Sequence, residues 1–305
     1  MMTQRTAARS CEQALWALPL RLREEGLSLS EWDKSRAEEF RLRAGRPMTA
    51  VIAGEERLLN GPPVRGEELE QLLEIASRAS VHTVLDQIRR GYLTVEGGHR
   101  IGLCGTAVMR EGEIYALRDL SSANLRIARQ VRGAAAPVLD GLCPGGRLAD
   151  TLILAPPGLG KTTLLRDLIR SVSEGEGCTP LQVALADERG EVAALYGGRP
   201  QLDVGRRTDV IEGCSKAQGL MLLLRAMGPQ ALAVDEITAP EDVAALRTAA
   251  GCGVTLLATA HGTARADLER RALYRPLLEE GLFRFLVRIG RQGERRIYTV
   301  EELTA

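Results

Sequence analysis

Two rhythms of apolar and polar positions divide the chain. Over residues 38–59, EEFRLRAGRPMTAVIAGEERLL, apolar and charged positions alternate around Gly45-Arg46-Pro47 and Gly54. That alternation predicts two or three short strands joined by tight turns. Residues 12–25 predict a short helix interrupted by Pro19, and Leu69, Leu72, Leu73, Ile75 and Ala76 at helical spacing predict another over 67–79. A serine cap and a glycine stop predict a further helix from Ser80 to Arg90. YLTVEGG, RIGLCGTAVM and EIYALRDL, punctuated by glycines, predict antiparallel strands, and SANLRIARQV (122–131) predicts one more. Residues 1–132 therefore read as a smaller α+β N-terminal domain.

The second rhythm is continuous. TLILA (151–155), LQVALAD (181–187), ALAVDE (231–236) and VTLLATA (254–260) are apolar at successive positions. Such runs suit parallel strands covered on both faces. Helical segments intervene at 161–172, 216–227 and 240–250, and strands alternating with helices imply an open, mostly parallel α/β sheet. GAAAPVLDGLCPGG (133–146) reads as a connection, so the expected division is 1–132, a linker at 133–147, and 148–305. The tail, FRFLVRIGRQGERRIYTVEEL, predicts an antiparallel hairpin turning at Gln292-Gly293.

Composition narrows the function classes. The chain has 305 residues, 40 basic and 40 acidic, with no formal net charge. A protein built to coat nucleic acid needs a basic face, so a nucleic-acid partner is not expected. Six cysteines lie far apart with no CxxC pair, which argues against a metal cluster or disulfide framework and for a reducing compartment. No apolar run is long enough to span a bilayer and the first residues lack a signal-peptide core, so the expected location is cytoplasmic. Three lysines (Lys34, Lys161, Lys216) stand against 37 arginines. One of the three sits where a compact point charge and a planar fork are not equivalent.

That lysine belongs to Ala155-Pro156-Pro157-Gly158-Leu159-Gly160-Lys161-Thr162, which fits G-x-x-x-x-G-K-[ST] except that alanine replaces the first glycine. An apolar strand precedes it and a helix follows. An ordinary strand–turn–helix explains the glycines but not the internal Gly-Lys-Thr. Glycines let successive amides curl around an anion, and the helix N-terminus adds positive potential. The expected cradle is Pro157, Gly158, Leu159, Gly160, Lys161, Thr162 and Thr163, with Lys161 reaching the terminal phosphates of ATP and the Thr162 hydroxyl binding Mg²⁺. ALAVDE ends in Asp235, placed to hold the metal, and Glu236, placed to polarise water. LADERGEV brings Asp187, Glu188 and Glu191 to the same sheet edge, where ligands bind in open α/β folds. Glu188 and Glu191 are alternative bases. ATAHG brings His261 there, able to touch the γ-phosphate.

Taken in order, the phosphate loop, DERGE, GRRTDV, LLRAMGPQALAVDEI and TLLATAHG resemble the stage III sporulation protein AA family, within the wider group of type II and type IV secretion ATPases. GGHRIGLCGTAV and SSANLRIARQV look similar to that family too, and the resemblance runs from about residue 38 to 290. It implies an α/β fold in which a RecA-like P-loop ATPase domain with a mostly parallel sheet follows the α+β domain. It implies that DERGE is an acidic box and ATAHG a histidine box. It further implies a homo-hexamer that powers a transenvelope complex between mother cell and forespore through membrane-embedded channel proteins. Ala155 and Thr238-Ala239-Pro240 depart from the family pattern.

Phosphoryl transfer also needs cations around the γ-phosphate, and an arginine finger is worth about 10³–10⁵ in rate. The candidates are Arg189, Arg206, Arg207 and Arg225 in the second half, with Arg225 taken as the catalytic one, and Arg118, Arg126 and Arg129 in the first. In the secretion group such arginines come from a neighbouring subunit or the N-domain, which favours Arg126 or Arg129. The alternatives are a RecA-like nucleic-acid-dependent ATPase, a small-molecule kinase, and a nucleotide-gated scaffold with little turnover.

Overall fold

A computed structural model of the chain describes residues 4–77, 85–89, 91–293 and 295–303. The chain divides into two compact units, Met1–Gln130 with Ala194–Leu202, and Val131–Ala193 with Asp203–Ala305.

The first unit opens with three helices, α1 (Gln4–Leu15), α2 (Leu20–Leu27) and α3 (Glu31–Arg36). Pro19 separates the first two and stands as N-cap of α2, a place that tolerates its missing amide hydrogen. Ser30 caps α3, its hydroxyl accepting from the Asp33 amide at 3.1 Å. Strands β1 (Ala37–Arg43), β2 (Thr49–Ile52) and β3 (Glu55–Leu58) follow, then α4 (Gly66–Ala76) and α5 (Leu85–Arg89). The remainder of the expected Ser80–Arg90 helix, its serine cap included, lies outside the described residues. Strands β4 (Tyr92–Thr94), β5 (Arg100–Arg110) and β6 (Glu113–Arg126) complete a six-stranded antiparallel sheet of order β3-β2-β1-β6-β5-β4. Phe40, Leu42, Leu72 and Ile101 are fully buried in its core.

EIYALRDL and SANLR, expected as two strands, are one. The pairing register shifts between Cys104 and Thr106, and Asp119 opposite adopts a left-handed φ of 48°. This bulge inserts extra residues and resets the alternation without ending the strand. A Cβ at Gly105 would stand 2.6 Å from the Arg118 carbonyl oxygen, so only glycine fits beside the bulge.

The second unit begins with α6 (Ala136–Leu142), then β7 (Thr151–Ala155), α7 (Lys161–Glu174) and β8 (Val183–Asp187). A small hairpin, β9 (Leu195–Tyr196) and β10 (Arg199–Pro200), belongs to the first unit. Next come β11 (Thr208–Glu212), α8 (Lys216–Ala226), β12 (Ala231–Val234), α9 (Pro240–Gly251) and β13 (Thr255–His261). The chain ends with α10 (Arg265–Arg270), α11 (Arg275–Glu279), β14 (Phe285–Gln292) and β15 (Arg295–Glu302). The seven strands lie in the order β11-β8-β12-β13-β7-β14-β15, with every neighbouring pair parallel except β14 and β15.

The continuous apolar runs have a direct cause. Ile153 and Ala155 face one core, built with α7, while Leu152 and Leu154 face another, built with α8 and α9. Residues 133–147, expected as a linker, join the first of these cores through Val138, Leu139 and Leu142. The Ala135 amide donates to the buried Asp167 carboxylate at 2.8 Å, which fastens the segment to α7. Strand β11, with every residue only partly buried, carried no alternation to announce it.

Candidate active site at the strand ends

β7, β8, β12 and β13 run parallel, so Ala155, Asp187, Val234 and His261 close the same sheet edge. Ala155 is the last residue of β7 and wholly buried, so its methyl group packs in the core instead of obstructing the loop. The turn that follows needs left-handed backbone at Gly158 (φ 77°) and Gly160 (φ 96°). Gly160 caps α7, whose first residue is Lys161. The lysine is largely buried, and burial holds its pKa below the ordinary value against the pull of Glu236 and Asp235. Its ammonium donates to the Ala155 carbonyl at 3.1 Å and the Pro156 carbonyl at 3.4 Å. Nζ also lies 2.9 Å from His261 Nδ1.

His261 joins the lysine to a carboxylate, because its Nε2 is 2.9 Å from Glu236 Oε1. An ammonium can only donate, so Nδ1 accepts and the ring proton sits on Nε2, where it donates to Glu236. Glu236 itself is held in left-handed backbone, φ 59°, an unusual conformation for a residue with a side chain. Its amide donates to Thr259 Oγ1 at 2.8 Å, and that hydroxyl donates to Asp235 Oδ1 at 2.7 Å. Thr162 Oγ1 donates to the other oxygen, Asp235 Oδ2, at 2.7 Å. The protein packed around Asp235 pushes its pKa up, opposed by the Thr259 and Thr162 hydroxyls.

The acidic turn after β8 separates into distinct tasks. Asp187 is buried and accepts from the amides of Glu191, Val192 and Ala193, folding the turn back on itself. Arg166 of α7 reaches the same turn, donating to the Val192 and Glu191 carbonyls at 2.5 and 2.6 Å. Glu188 is paired with the buried Lys216 at 2.7 Å, and Lys216 also donates to Thr238 Oγ1 at 3.0 Å. A space of about 20 Å³, room for one water, lies between Asp187, Glu191, Asp235 and Glu236. Among the described residues, no group of three or more His, Cys, Asp or Glu is arranged to hold a metal alone. Thr162 Oγ1 and the Asp235 carboxylate are oxygen donors of the kind Mg²⁺ takes, since that ion needs only one or two protein ligands beside its waters.

This arrangement has relatives. The family model described as Sporulation stage III, protein AA matches residues 9–300. The chain belongs to the stage III sporulation protein AA family. Stage III sporulation protein AA of Bacillus subtilis is 40% identical over 247 residues, covering 81% of this chain and 80% of that protein. The uncharacterized protein ycf45 of Porphyra purpurea is 32% identical over 155 residues, half of this chain but only 25% of that protein. Among solved structures, the ATPase DotB of Legionella pneumophila superposes with a TM-score of 0.59 at 16% identity, covering 98% of this chain and 80% of DotB. The pilus retraction motor PilT, solved with bound ADP, gives 0.60 at 18% identity, covering 88% and 80%. The fold of this family member is thus an α/β fold of the secretion-ATPase kind, with a mostly parallel sheet and an antiparallel N-terminal one.

Of the residues singled out from the sequence, the fold gathers Lys161, Thr162, Asp235, Glu236 and His261. Pro157, Gly158, Leu159 and Gly160 form the loop around Lys161, and Thr163 follows in the first turn of α7. Glu188 is nearby but tied to Lys216. Arg225 is exposed in the last turn of α8, nine residues past Lys216, roughly 13 Å along the helix. It does not join the cluster. Arg206 pairs with Glu174 at 3.2 Å, and Arg207 donates to the Ser173 carbonyl at 2.8 Å. Arg129 gives a guanidinium hydrogen to the Ala37 carbonyl, whereas Arg126 is exposed. Sequence reasoning missed Thr259, Arg166 and Lys216. Thr259 left a faint signal, a hydroxyl inside an apolar run.

Across the described residues, no helix is long and apolar enough to cross a membrane.

Proposed function

We propose that this protein is an ATP-hydrolysing motor of the secretion-ATPase type. It would work in the cytoplasm as a homo-hexameric ring with a RecA-like catalytic domain. It would energise a transenvelope sporulation complex between mother cell and forespore, through membrane-embedded channel proteins. The observation that carries the reading is the chain of contacts from Lys161 through His261 to Glu236, beside Thr162 and Asp235.

Lys161 binds the terminal phosphates by exchanging its loop carbonyls for phosphate oxygens. That exchange loosens its contact with His261. His261 holds Glu236, and Glu236 orients the attacking water and accepts its proton. Thr162 and Asp235 are the residues to hold Mg²⁺, which when bound neutralises charge on the phosphate oxygens. The likeness of fold to a motor solved with ADP supports the nucleotide. With Arg129 already engaged, Arg126 is the stronger candidate for a cation supplied to a neighbouring site.

The test is ATP hydrolysis by the purified chain with Mg²⁺, with and without single-stranded DNA, beside Lys161→Ala. Turnover that needs Lys161 and ignores DNA supports the motor. No nucleotide binding by the wild-type chain refutes it, and DNA-dependent turnover replaces it with a nucleic-acid motor.

A further inference from the structure

The C-terminal hairpin brings one more cation to the phosphate loop. A Cβ built on Gly160 would stand 3.0 Å from Arg296 Cζ and 3.3 Å from its Nε and Nη1. The guanidinium therefore lies against Gly160, immediately before Lys161, where a left-handed φ of 96° favours glycine.

The strand register explains why Arg296 reaches the loop. Val287 and Ile289 of β14 pack into the core shared with α7, and so does Tyr298 of β15, directly opposite Ile289. Side chains alternate along a strand, so Arg291 and its cross-strand partner Arg296 lie on that same face. Arg295, opposite Gln292, lies on the other. Two like charges directly opposite one another are unfavourable unless an anion joins them. Arg291 is engaged by the turn, its Nε donating to the Gly293 carbonyl at 2.7 Å. Arg296 has no carboxylate partner among the described residues.

We infer that Arg296 is a phosphate-binding residue supplied by the same chain, its guanidinium contacting the phosphates of a nucleotide held by the loop at Gly160. This rests on the nucleotide reading above and adds to it a residue outside the sequence motifs. A guanidinium suits the task, because its planar fork grips phosphate oxygens at two points.

Calorimetric binding of a non-hydrolysable ATP analogue and of tripolyphosphate, each with Mg²⁺, tests the assignment on the full chain. Arg296→Ala should weaken both about ten- to a hundred-fold, as expected for hydrogen bonds to a charged group. Arg296→Lys should recover part of the loss, and Arg295→Ala should bind as wild type does. An unchanged melting temperature for Arg296→Ala separates ligand contact from a structural role, and Arg296→Gln serves if the alanine variant is unstable. Wild-type affinity in Arg296→Ala, with binding lost in Lys161→Ala, overturns this inference and leaves the motor reading intact. A loss for the ATP analogue but not for tripolyphosphate also overturns it, by moving the contact to the base or ribose. A wild-type chain that binds neither ligand sinks both.

Discussion

Lys161 Nζ lies 2.9 Å from His261 Nδ1, across one hundred residues of sequence. The contact sets the ring's tautomer, and the opposite nitrogen therefore donates to Glu236 at 2.9 Å. One imidazole thus positions both the cation of the phosphate loop and the carboxylate after β12. His261→Ala should leave nucleotide affinity within a few-fold and lower kcat about tenfold or more, within the range for acid–base positioning. An unchanged kcat would show that the histidine is a bystander.

Glu236 and Glu188 are both close to the site, but only Glu236 is free of a lysine. Glu236→Gln should keep ATP binding and lower hydrolysis by about 10²–10⁴. Glu188→Gln should lower it by only a few-fold, because Lys216 already neutralises that carboxylate. The reverse ranking, measured by steady-state phosphate release, would assign the base to the acidic turn.

Asp235 is expected to weaken the fold. Its surroundings raise the carboxyl pKa above the ordinary 3.8, so the unfolded chain gives up this proton at lower pH than the native one. Between those two values the native state binds more protons, and stability falls as pH rises. The penalty grows with pH until the native carboxyl is ionised too. Asp235→Asn should therefore melt at or above the wild-type temperature at pH 7, lose that advantage below about pH 4, and lose Mg²⁺-dependent hydrolysis. A fall of several degrees at pH 7 would contradict this account.

Arg166 tests the support of the acidic turn. Burial disfavours its charge, yet two backbone carbonyls depend on it. Arg166→Ala strands both and should cost about 2–4 kcal/mol, from unpaired buried acceptors. Denaturant unfolding measures it; a cost below about 0.5 kcal/mol, the size of a surface change, would mean that water replaces the guanidinium.

His99 gives the first unit an acid limit. It is buried, its Nδ1 accepts from the Ala128 amide at 3.1 Å, and burial lowers its pKa to about 4 from 6.5. The unfolded chain takes up a proton below pH 6.5 that the native state refuses until about pH 4. Stability is thus complete above pH 6.5 and declines across that window, by about 3 kcal/mol at most. His99→Gln should flatten the decline in denaturant titrations at pH 7.5 and pH 5. An equally steep loss in the variant would place the effect elsewhere.

Legibility followed the distance over which each feature is specified. The turn from Ala155 to Thr162 is eight consecutive residues shaped by the left-handed backbone of Gly158 and Gly160, so its strand–loop–helix form could be read directly. The parallel strands could be read because both of their faces are covered. The continuous strand β6 read as two, since the bulge at Asp119 shifts the register and interrupts the alternation without ending the strand. Strand β11 was invisible, since partial burial at every position leaves no rhythm. Residues 133–147 looked like a linker for their Gly, Ala and Pro content, but their few large apolar residues go into a core.

From its sequence alone, the protein was determined to be α/β, with an ammonium, a hydroxyl, two adjacent carboxylates and an imidazole each at the end of an apolar run. The tertiary structure decided which of these touch. The order β8-β12-β13-β7-β14-β15 sets Thr259 between the Glu236 amide and the Asp235 carboxylate, His261 between Lys161 and Glu236, and Arg296 against Gly160. Neighbourhood in a parallel sheet is settled by packing between strands tens of residues apart, and no local pattern records it.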